Sequence, residues 1–426
     1  MDEIIVLQNG RVIDPASGVD STCDLLIKNG VLARPEAGLP AGSRYIELGG
    51  LWVVPGLIDL HVHLREPGQE YKETVASGSR AAAAGGITAV ACMPNTMPVN
   101  DCGPVTRFIC EKAASCDARV YPVGAVSTAS KGRELADYAE MKAAGVVALT
   151  DDGLPVTNSQ LMRRAMEYAK SCGLFIMSHA EELSLAGNGC MNEGALSTRM
   201  GLTGVPNAAE AVMVYRDIAL AELTGCHVHF CHISTKESLE LIRAAKARGA
   251  AVSAETAPHY FTLTEKAVEG YNTRAKMNPP LRSERDRQAV ITALQDGTLD
   301  AIATDHAPHS ELEKNLEFDQ AANGIIGLET SLPLGLSLVH DRLLEPAELI
   351  RLMSVNPAKL LGVEGGSLAP GRPADITVID PDREFVFREE NIVSKGKNSP
   401  FLGWKLKGKA VMTILGGRIV HDEIGL

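Results

Sequence analysis

The chain has 426 residues, of which 45% are hydrophobic and 22% charged, enough apolar material for a large core and a composition unlike that of disordered chains. Its 41 basic residues are outnumbered by 53 acidic ones, and the net charge of −12 argues against nucleic acid or an anionic membrane as the main partner. No apolar run reaches the roughly 18 residues of a transmembrane helix, the opening MDEIIVLQNGRVIDP has acids where a secretory signal has lysines, and nine scattered cysteines without a CxxC pair predict reduced thiols in a cytoplasmic protein.

Residues 1–55 are predicted to be strands and turns. IIVLQNGRVID and CDLLIKNGVLA each place Asn-Gly between apolar runs, the pattern of a tight hairpin. Residues 366–426 have the same texture: ADITVIDPD and AVMTILGGRIVHD are β-rich, with Gly416-Gly417 at a turn. Chain ends commonly meet in space. The two segments are therefore expected to form one small β-sandwich domain, with residues 56–365 inserted between its halves. In that insert, short apolar runs alternate with alanine-rich helical stretches such as 73–86 and 235–249. The candidate strands are 56–63, 87–93, 118–124, 146–151, 174–179, 227–232, 250–256 and 300–305. Eight strand-then-helix units predict an α/β fold, a (β/α)8 TIM-like barrel with parallel strands buried on both faces. The rival, an open doubly wound sheet, is disfavoured because no GxGxxG follows the first strand.

Barrel strands present functional side chains at their C-terminal ends, and five of these eight strands end in a metal-type ligand. Strand one ends His61-Val62-His63, and residues two apart share a face. Strand four ends Asp151-Asp152, strand five at His179, strand six at His232 and strand eight at Asp305. A single His-x-His pair is weak evidence; the weight lies in the shared position. Imidazole and carboxylate together suit Zn²⁺, and also Mn²⁺, Co²⁺ or Fe²⁺. Four histidines and two carboxylates exceed the three protein ligands usual for one catalytic zinc and suit two ions bridged by a carboxylate. Spacing leaves Asp151 and Asp152 equivalent. His227 and His229 fall out of phase with His232 and are expected to face the helices. His259, Glu181 and Glu182 are expected behind the ligands or past the barrel mouth, and His340 and His421 have no supporting context.

VPGLIDLHVHLREPG (54–68) resembles the opening motif of the amidohydrolase superfamily. MPNTMP (93–98), LTDDG (149–153), SHAEE (178–182), CHIST (231–235), TAPHY (256–260), KMNPPLR (276–282), TDHAPHS (304–310) and GIIGLET (324–330) narrow the resemblance to the type I dihydroorotases, over nearly the whole chain. The resemblance implies reversible, zinc-dependent cyclisation of N-carbamoyl-L-aspartate to L-dihydroorotate in pyrimidine biosynthesis. It implies two Zn²⁺ ions, one on His61, His63 and Asp305, the other on His179 and His232, with Asp152 bridging, and Asp305 also shuttling the catalytic proton. Arg65 would take the substrate α-carboxylate. Asn95 and Asn278 would hydrogen-bond carboxylate and ring, His309 would hold the carboxylate or close the pocket, and His63 and the backbone at Asn323-Gly324 would touch the substrate. The family more often has an aromatic where Asn323 stands. A homodimer and association with aspartate transcarbamoylase are implied as well. Hydantoinases and allantoinases instead carry a carboxylated lysine on strand four, and no lysine occupies 146–152 here. A catalytically silent partner of aspartate transcarbamoylase would typically lack ligands, and every ligand position here is filled.

Overall fold

A computed structural model gives the fold of residues 4–34 and 42–425. Strands β1 (Ile4–Gln8), β2 (Arg11–Asp14), β3 (Val19–Thr22), β4 (Leu25–Lys28), β5 (Val31–Ala33), β6 (Arg44–Glu47) and β7 (Trp52–Pro55) come first. The barrel strands are β8 (Leu57–Val62), β9 (Ile87–Cys92), β10 (Arg119–Gly124), β11 (Ala148–Leu149) and β12 (Ile176–Ser178). After a short pair in the following loop, β13 (Met191–Asn192) and β14 (Gly204–Val205), the barrel resumes with β15 (Val228–Phe230), β16 (Val252–Thr256) and β17 (Ala301–Ile302). The chain ends in β18 (Ile376–Val386), β19 (Lys405–Leu415) and β20 (Arg418–Asp422).

The eight barrel strands run in the order β17-β16-β15-β12-β11-β10-β9-β8. Between β8 and β17 there is no regular ladder. The seam is closed by a parallel bridge from Val62 to His306 and by the Asp59 carboxylate, whose Oδ1 accepts the backbone N–H of Thr304 at 3.0 Å and of His61 at 3.1 Å. Burial pushes the Asp59 carboxyl up to about 6, against the pull of those hydrogen bonds.

Side chains alternate along each strand. One set, including Ile58, Leu60, Met93, Phe175 and Met177, fills the barrel interior with small residues such as Ala89, Ala91, Ala301 and Ala303. The other set, including Leu57, Val90, Ile176 and Phe230, packs against the helices. Helix Asn356–Leu361 caps the end where the strands begin: Ala358 and Leu361 join the interior cluster, and Asn356 Nδ2 donates to Asp300 O at 2.7 Å. The functional end is therefore the opposite one. Among the described residues no helix is long and apolar enough to cross a membrane.

Both chain ends build the sandwich. One sheet runs β5-β4-β1-β6 and the other β20-β19-β18-β7-β2-β3, with Leu7, Ile27, Ile46, Val53, Val378 and Met412 packed between them. Of the two expected hairpins only the second forms: β4 and β5 pair across Asn29 and Gly30, both with positive φ. At the first Asn-Gly, β1 joins β4 and β6, while β2 joins β3 and β7. Asn9 has φ of 59°, so the left-handed bend is made. It carries the chain from one sheet to the other, because the apolar side chains of both strands, Leu7 and Val12 among them, are buried in the same inter-sheet core.

The sandwich is fastened to the barrel by polar contacts. Arg119 of β10 forks onto Asp375, Nε to Oδ2 at 2.9 Å and Nη2 to Oδ1 at 3.0 Å, and Gly416 N also donates to Asp375 Oδ1 at 2.7 Å. Thr413 Oγ1 donates to Ala83 O at 2.7 Å. Arg119→Met leaves the buried Asp375 without its cation and should cost about 1 kcal/mol, read as a lowered thermal midpoint. Arg163→Met, which breaks an exposed pair with Glu167, should leave the midpoint unchanged.

Candidate metal centre

β8 carries a register irregularity between Asp59 and Val62. Ile58 and Leu60 face the interior. Beyond the irregularity His61 and His63 take over that face, while Val62 and Leu64 join the outer core. Asp152, His179, His232 and Asp305 sit one to three residues past the ends of β11, β12, β15 and β17. His232 (φ 38°) and Asp305 (φ 48°) are in the left-handed region, as is Arg65 (φ 62°), a conformation that costs a non-glycine residue on the order of 1 kcal/mol or more.

These six side chains converge. His63 Nε2 lies 2.9 Å from Asp305 Oδ1, and His61 Nε2 lies 3.5 Å from the same oxygen. Asp152 Oδ1 is 3.4 Å from His61 Nε2, 3.7 Å from His179 Nδ1 and 3.6 Å from His232 Nε2. Its Oδ2 is 3.5 Å from His63 Nε2. His179 Nδ1 and His232 Nε2 are 2.9 Å apart. Asp152 thus stands between two groups, one of His61, His63 and Asp305, the other of His179 and His232. His61 Nε2 and Asp152 Oδ1 are buried without a hydrogen-bond partner, two donor atoms aimed at one space. Nitrogen and oxygen donors in this number fit a divalent transition-metal ion.

The electrostatics agree. Burial pushes the Asp152 carboxyl upward, but the surrounding imidazoles of His61, His232 and His63 outweigh it and hold Asp152 well below the usual carboxylate range. Asp305 is likewise held low, with burial overcome by His61 and by the hydrogen bond with His63. Burial lowers His63. Two ionised carboxylates at the bottom of a buried mouth call for positive charge.

Asp151 does not join the cluster. It turns away to accept the backbone N–H and the hydroxyl of Ser127. Glu181, expected behind the ligands or at the surface, brings Oε2 to 3.4 Å from His179 Nε2 and 3.3 Å from Asn278 Nδ2. Glu182 instead caps the short helix Leu183–Ala186. His259 is buried nearby, its pKa lowered to about 4 by burial. His340 and His421 lie with the C-terminal strands, near Pro381 and Glu423.

The expectation that His227 and His229 face the helices is wrong. His229 points into the barrel, its Nε2 3.1 Å from Glu255 Oε2, and His227 Nε2 reaches Ser253 Oγ at 2.8 Å. The parity argument failed because His232 lies beyond the regular strand. Its left-handed backbone swings it onto the face that His229 and Cys231 already occupy.

A cavity of about 230 Å³ opens above the cluster, room for a small molecule rather than a polymer. Arg65, Asn95, Asn278, His309, Asn323 and Gly324 all line it, with His63 at its floor. Arg65 is 8% exposed. Its Nε donates to Pro308 O and its Nη2 to His309 Nε2, both at 3.3 Å. Among the described residues no carboxylate forms an ion pair with it. Burial first, then the charges of Arg65, Lys72 and Lys314, lowers His309 to about 3, so that ring is neutral and can accept from the guanidinium. Asn95 Oδ1 lies 2.7 Å from His63 Nδ1, and its amide nitrogen 3.3 Å from Asp152 Oδ2.

Two residues that support this site escaped the sequence reading. Asn398, from the C-terminal segment, donates to Ala307 O at 2.9 Å and Gly324 O at 3.0 Å and accepts from His309 N at 2.9 Å. Nothing in its local sequence marks it. Gly324 has φ of 149°, and a Cβ there would meet Ala307 O at 2.7 Å and His309 Cδ2 at 2.8 Å, so a glycine is required for the wall to close. The other omission, Glu255, was signalled by a charged residue in an otherwise apolar strand.

The profile of dihydro-orotase-like proteins matches residues 50–238, and that of the amidohydrolase family matches residues 203–421. The chain is 59% identical over 414 residues to a dihydroorotase of Desulfotalea psychrophila, covering 97% of this chain and 98% of the relative. It is 56% identical over 422 residues to a dihydroorotase of Geobacter metallireducens, covering 98% and 100%. Among solved structures, an L-hydantoinase (dihydropyrimidinase) of Arthrobacter aurescens superposes with a TM-score of 0.88 at 26% identity, covering 99% of this chain and 97% of that one. A dihydropyrimidinase of Brevibacillus agri superposes at 0.86 with 23% identity, covering 99% and 95%, a likeness of fold alone.

Neighbouring aspartates should behave oppositely. Asp152→Ala should abolish retention of divalent ions, measured by elemental analysis after dialysis, with little loss in the melting point of chelator-treated protein. Asp151→Ala should retain ions but melt lower, because Ser127 loses two hydrogen bonds worth about 1–3 kcal/mol.

Proposed function

The chain belongs to the dihydroorotase family of amidohydrolases, and from that premise we propose that its centre closes N-carbamoyl-L-aspartate to L-dihydroorotate with loss of water, and the reverse, as a step of pyrimidine biosynthesis. The observation that carries the reading is Arg65. A buried guanidinium with no carboxylate partner of its own faces the cavity, and such a charge is costly unless a ligand brings the anion. Both named substrates carry carboxylates. Hydantoin is neutral and has no use for it.

His61, His63 and Asp305 would hold one ion and His179 and His232 a second, with Asp152 shared between them. Zinc is the ion we assign, on the nitrogen-rich donor set. Bound there, the ions would supply an acidified water and polarise the amide carbonyl.

The remaining work belongs to the chain. In the hydrolytic direction, Asp305 accepts a proton from the attacking water and delivers it to the ring nitrogen as the C–N bond breaks. In the biosynthetic direction it takes the proton from the carbamoyl nitrogen and returns it to the departing oxygen. Arg65 forks onto the α-carboxylate, a geometry that guanidinium suits, while neutral His309 steadies the fork from behind. Asn95 spends its oxygen on His63 and keeps amide N–H for the substrate. Asn278 offers its amide from the facing wall, and the backbone at Asn323-Gly324 meets the ring. A backbone contact does not depend on the side chain at 323. A cytoplasmic location, a homodimer and association with aspartate transcarbamoylase belong to the same proposal and rest on the family alone.

The hydantoinase reading draws on likeness of fold, and β11 supplies no lysine. Purified protein should turn over dihydroorotate and carbamoyl-aspartate and leave hydantoin untouched; turnover of hydantoin alone sinks the proposal. Asp305→Asn should lower kcat by about 10²–10⁴-fold in folded protein, and near-wild-type turnover removes Asp305 from the proton path. Arg65→Met should raise KM for carbamoyl-aspartate far more than it alters the fold. Unchanged KM there assigns the carboxylate to another group.

A further inference from the structure

Below the cluster, inside the barrel, runs an unbroken file of polar contacts. His61 Nδ1 lies 2.9 Å from Glu255 Oε1, and Glu255 Oε2 lies 3.1 Å from His229 Nε2. His229 Nδ1 lies 2.8 Å from Ser253 Oγ, which lies 2.8 Å from His227 Nε2. Apart from His227, which is half-buried, each member is at most 3% exposed. Glu255 gives one oxygen to each of two imidazoles and has no lysine or arginine partner among the described residues.

With Glu255 a carboxylate and one proton on each ring, donor and acceptor arithmetic orders the protons along this file. An ionised carboxylate only accepts, so both imidazoles beside it must donate. His61 therefore carries its proton on Nδ1 and His229 on Nε2. His229 Nδ1 is then left to accept from the Ser253 hydroxyl, and Ser253 Oγ in turn accepts from His227 Nε2. Burial lowers His227 to about 4, so that ring is neutral as well. With one proton held on Nδ1, Nε2 of His61, the atom facing Asp152 and Asp305, is the nitrogen left for an ion.

We propose that Glu255, braced by His229, is the positioning residue that sets the tautomer and ring orientation of His61, and so makes Nε2 of that histidine a metal donor. This rests on the reading of the centre given above. Partners of this kind on a ligating histidine typically govern 10–100-fold in metal affinity.

The proposal makes an unusual demand on Glu255→Gln. A glutamine carbonyl can still accept from His61 Nδ1, but its NH₂ must donate to His229 Nε2. The lower file then reverses: His229 donates from Nδ1 to Ser253, and Ser253 donates to His227 Nε2. The His61 tautomer survives and the His227 tautomer flips. In Glu255→Leu nothing holds His61.

Zinc affinity, measured by competition with a chromophoric chelator, should therefore fall about 10–100-fold in Glu255→Leu and much less in Glu255→Gln. Imidazole ¹⁵N spectra of histidine-labelled, zinc-loaded protein should show the His227 proton move from Nε2 to Nδ1 in Glu255→Gln. A Glu255→Leu protein that binds zinc as tightly as wild type, or a Glu255→Gln protein as weak as Glu255→Leu, overturns the role of Glu255. If Glu255→Leu does not fold, the spectrum of Glu255→Gln decides, and an unmoved His227 proton overturns the proposal. Wild-type protein that takes up no zinc overturns the reading of the centre itself, a separate outcome.

Discussion

Two carboxylates, Asp152 and Asp305, are buried at the mouth of the barrel within reach of four imidazoles, and the surrounding structure answers to their charge. Neither has a lysine or arginine as an ion-pair partner among the described residues. Their compensation comes from ring nitrogens, which can bring positive charge as protons or as a coordinated cation. A cation takes the place of those protons, so binding it releases them. Histidines allow that exchange where permanently charged groups would not. It also explains why residues such as His232 and Asp305 tolerate left-handed backbone: the local strain is small beside the cost of a misplaced buried charge.

The second cation of the site obeys the opposite logic. Arg65 is permanently charged, buried and without a protein carboxylate, its hydrogen bonds going to Pro308 O and to a neutral His309. Where the imidazoles and carboxylates of the cluster face one another, Arg65 faces the cavity. The wall that holds it is assembled from far-apart segments. Asn398 ties Ala307, His309 and Gly324 together, and the Lys314 ammonium donates to Ala322 O at 2.8 Å and Gly324 O at 3.1 Å. The C-terminal segment thus contributes to the cavity as well as to the sandwich.

Much of this could be read from the sequence, and the failures share one cause. The eight strands and the C-terminal ligand positions follow from period-two burial and from where a parallel barrel displays its residues. Period two holds only while the strand is regular. It misdirected His227 and His229 because His232 lies past the end of β15, and it could not separate Asp151 from Asp152 because both lie past β11. The first Asn-Gly turn failed similarly. The dipeptide fixes the bend at Asn9 but not the strands that will pair, and burial of Leu7 and Val12 in one inter-sheet core decided that. Asn398 depends on contacts across distances of chain that no local pattern encodes, whereas Glu255 stands out as the one charge in its strand but its partners lie far off in sequence.

The same irregularity that defeats the pattern makes the site possible. A regular β8 would alternate strictly, and with Ile58 and Leu60 facing inward it would turn His61 and His63 toward the helices. The shift between Asp59 and Val62 changes the parity at the point where the ligands begin. Breaking the ladder there strands backbone N–H groups in a dry interior, which is costly unless something else accepts them. The Asp59 carboxylate does so for both sides of the seam, taking His61 N and Thr304 N on one oxygen. The barrel is therefore closed by a side chain at the one place where it could not be closed by a sheet and still present its ligands. On that reasoning Asp59, which reaches the cluster only through the backbone of His61, belongs to the architecture of the centre as firmly as the histidines above it.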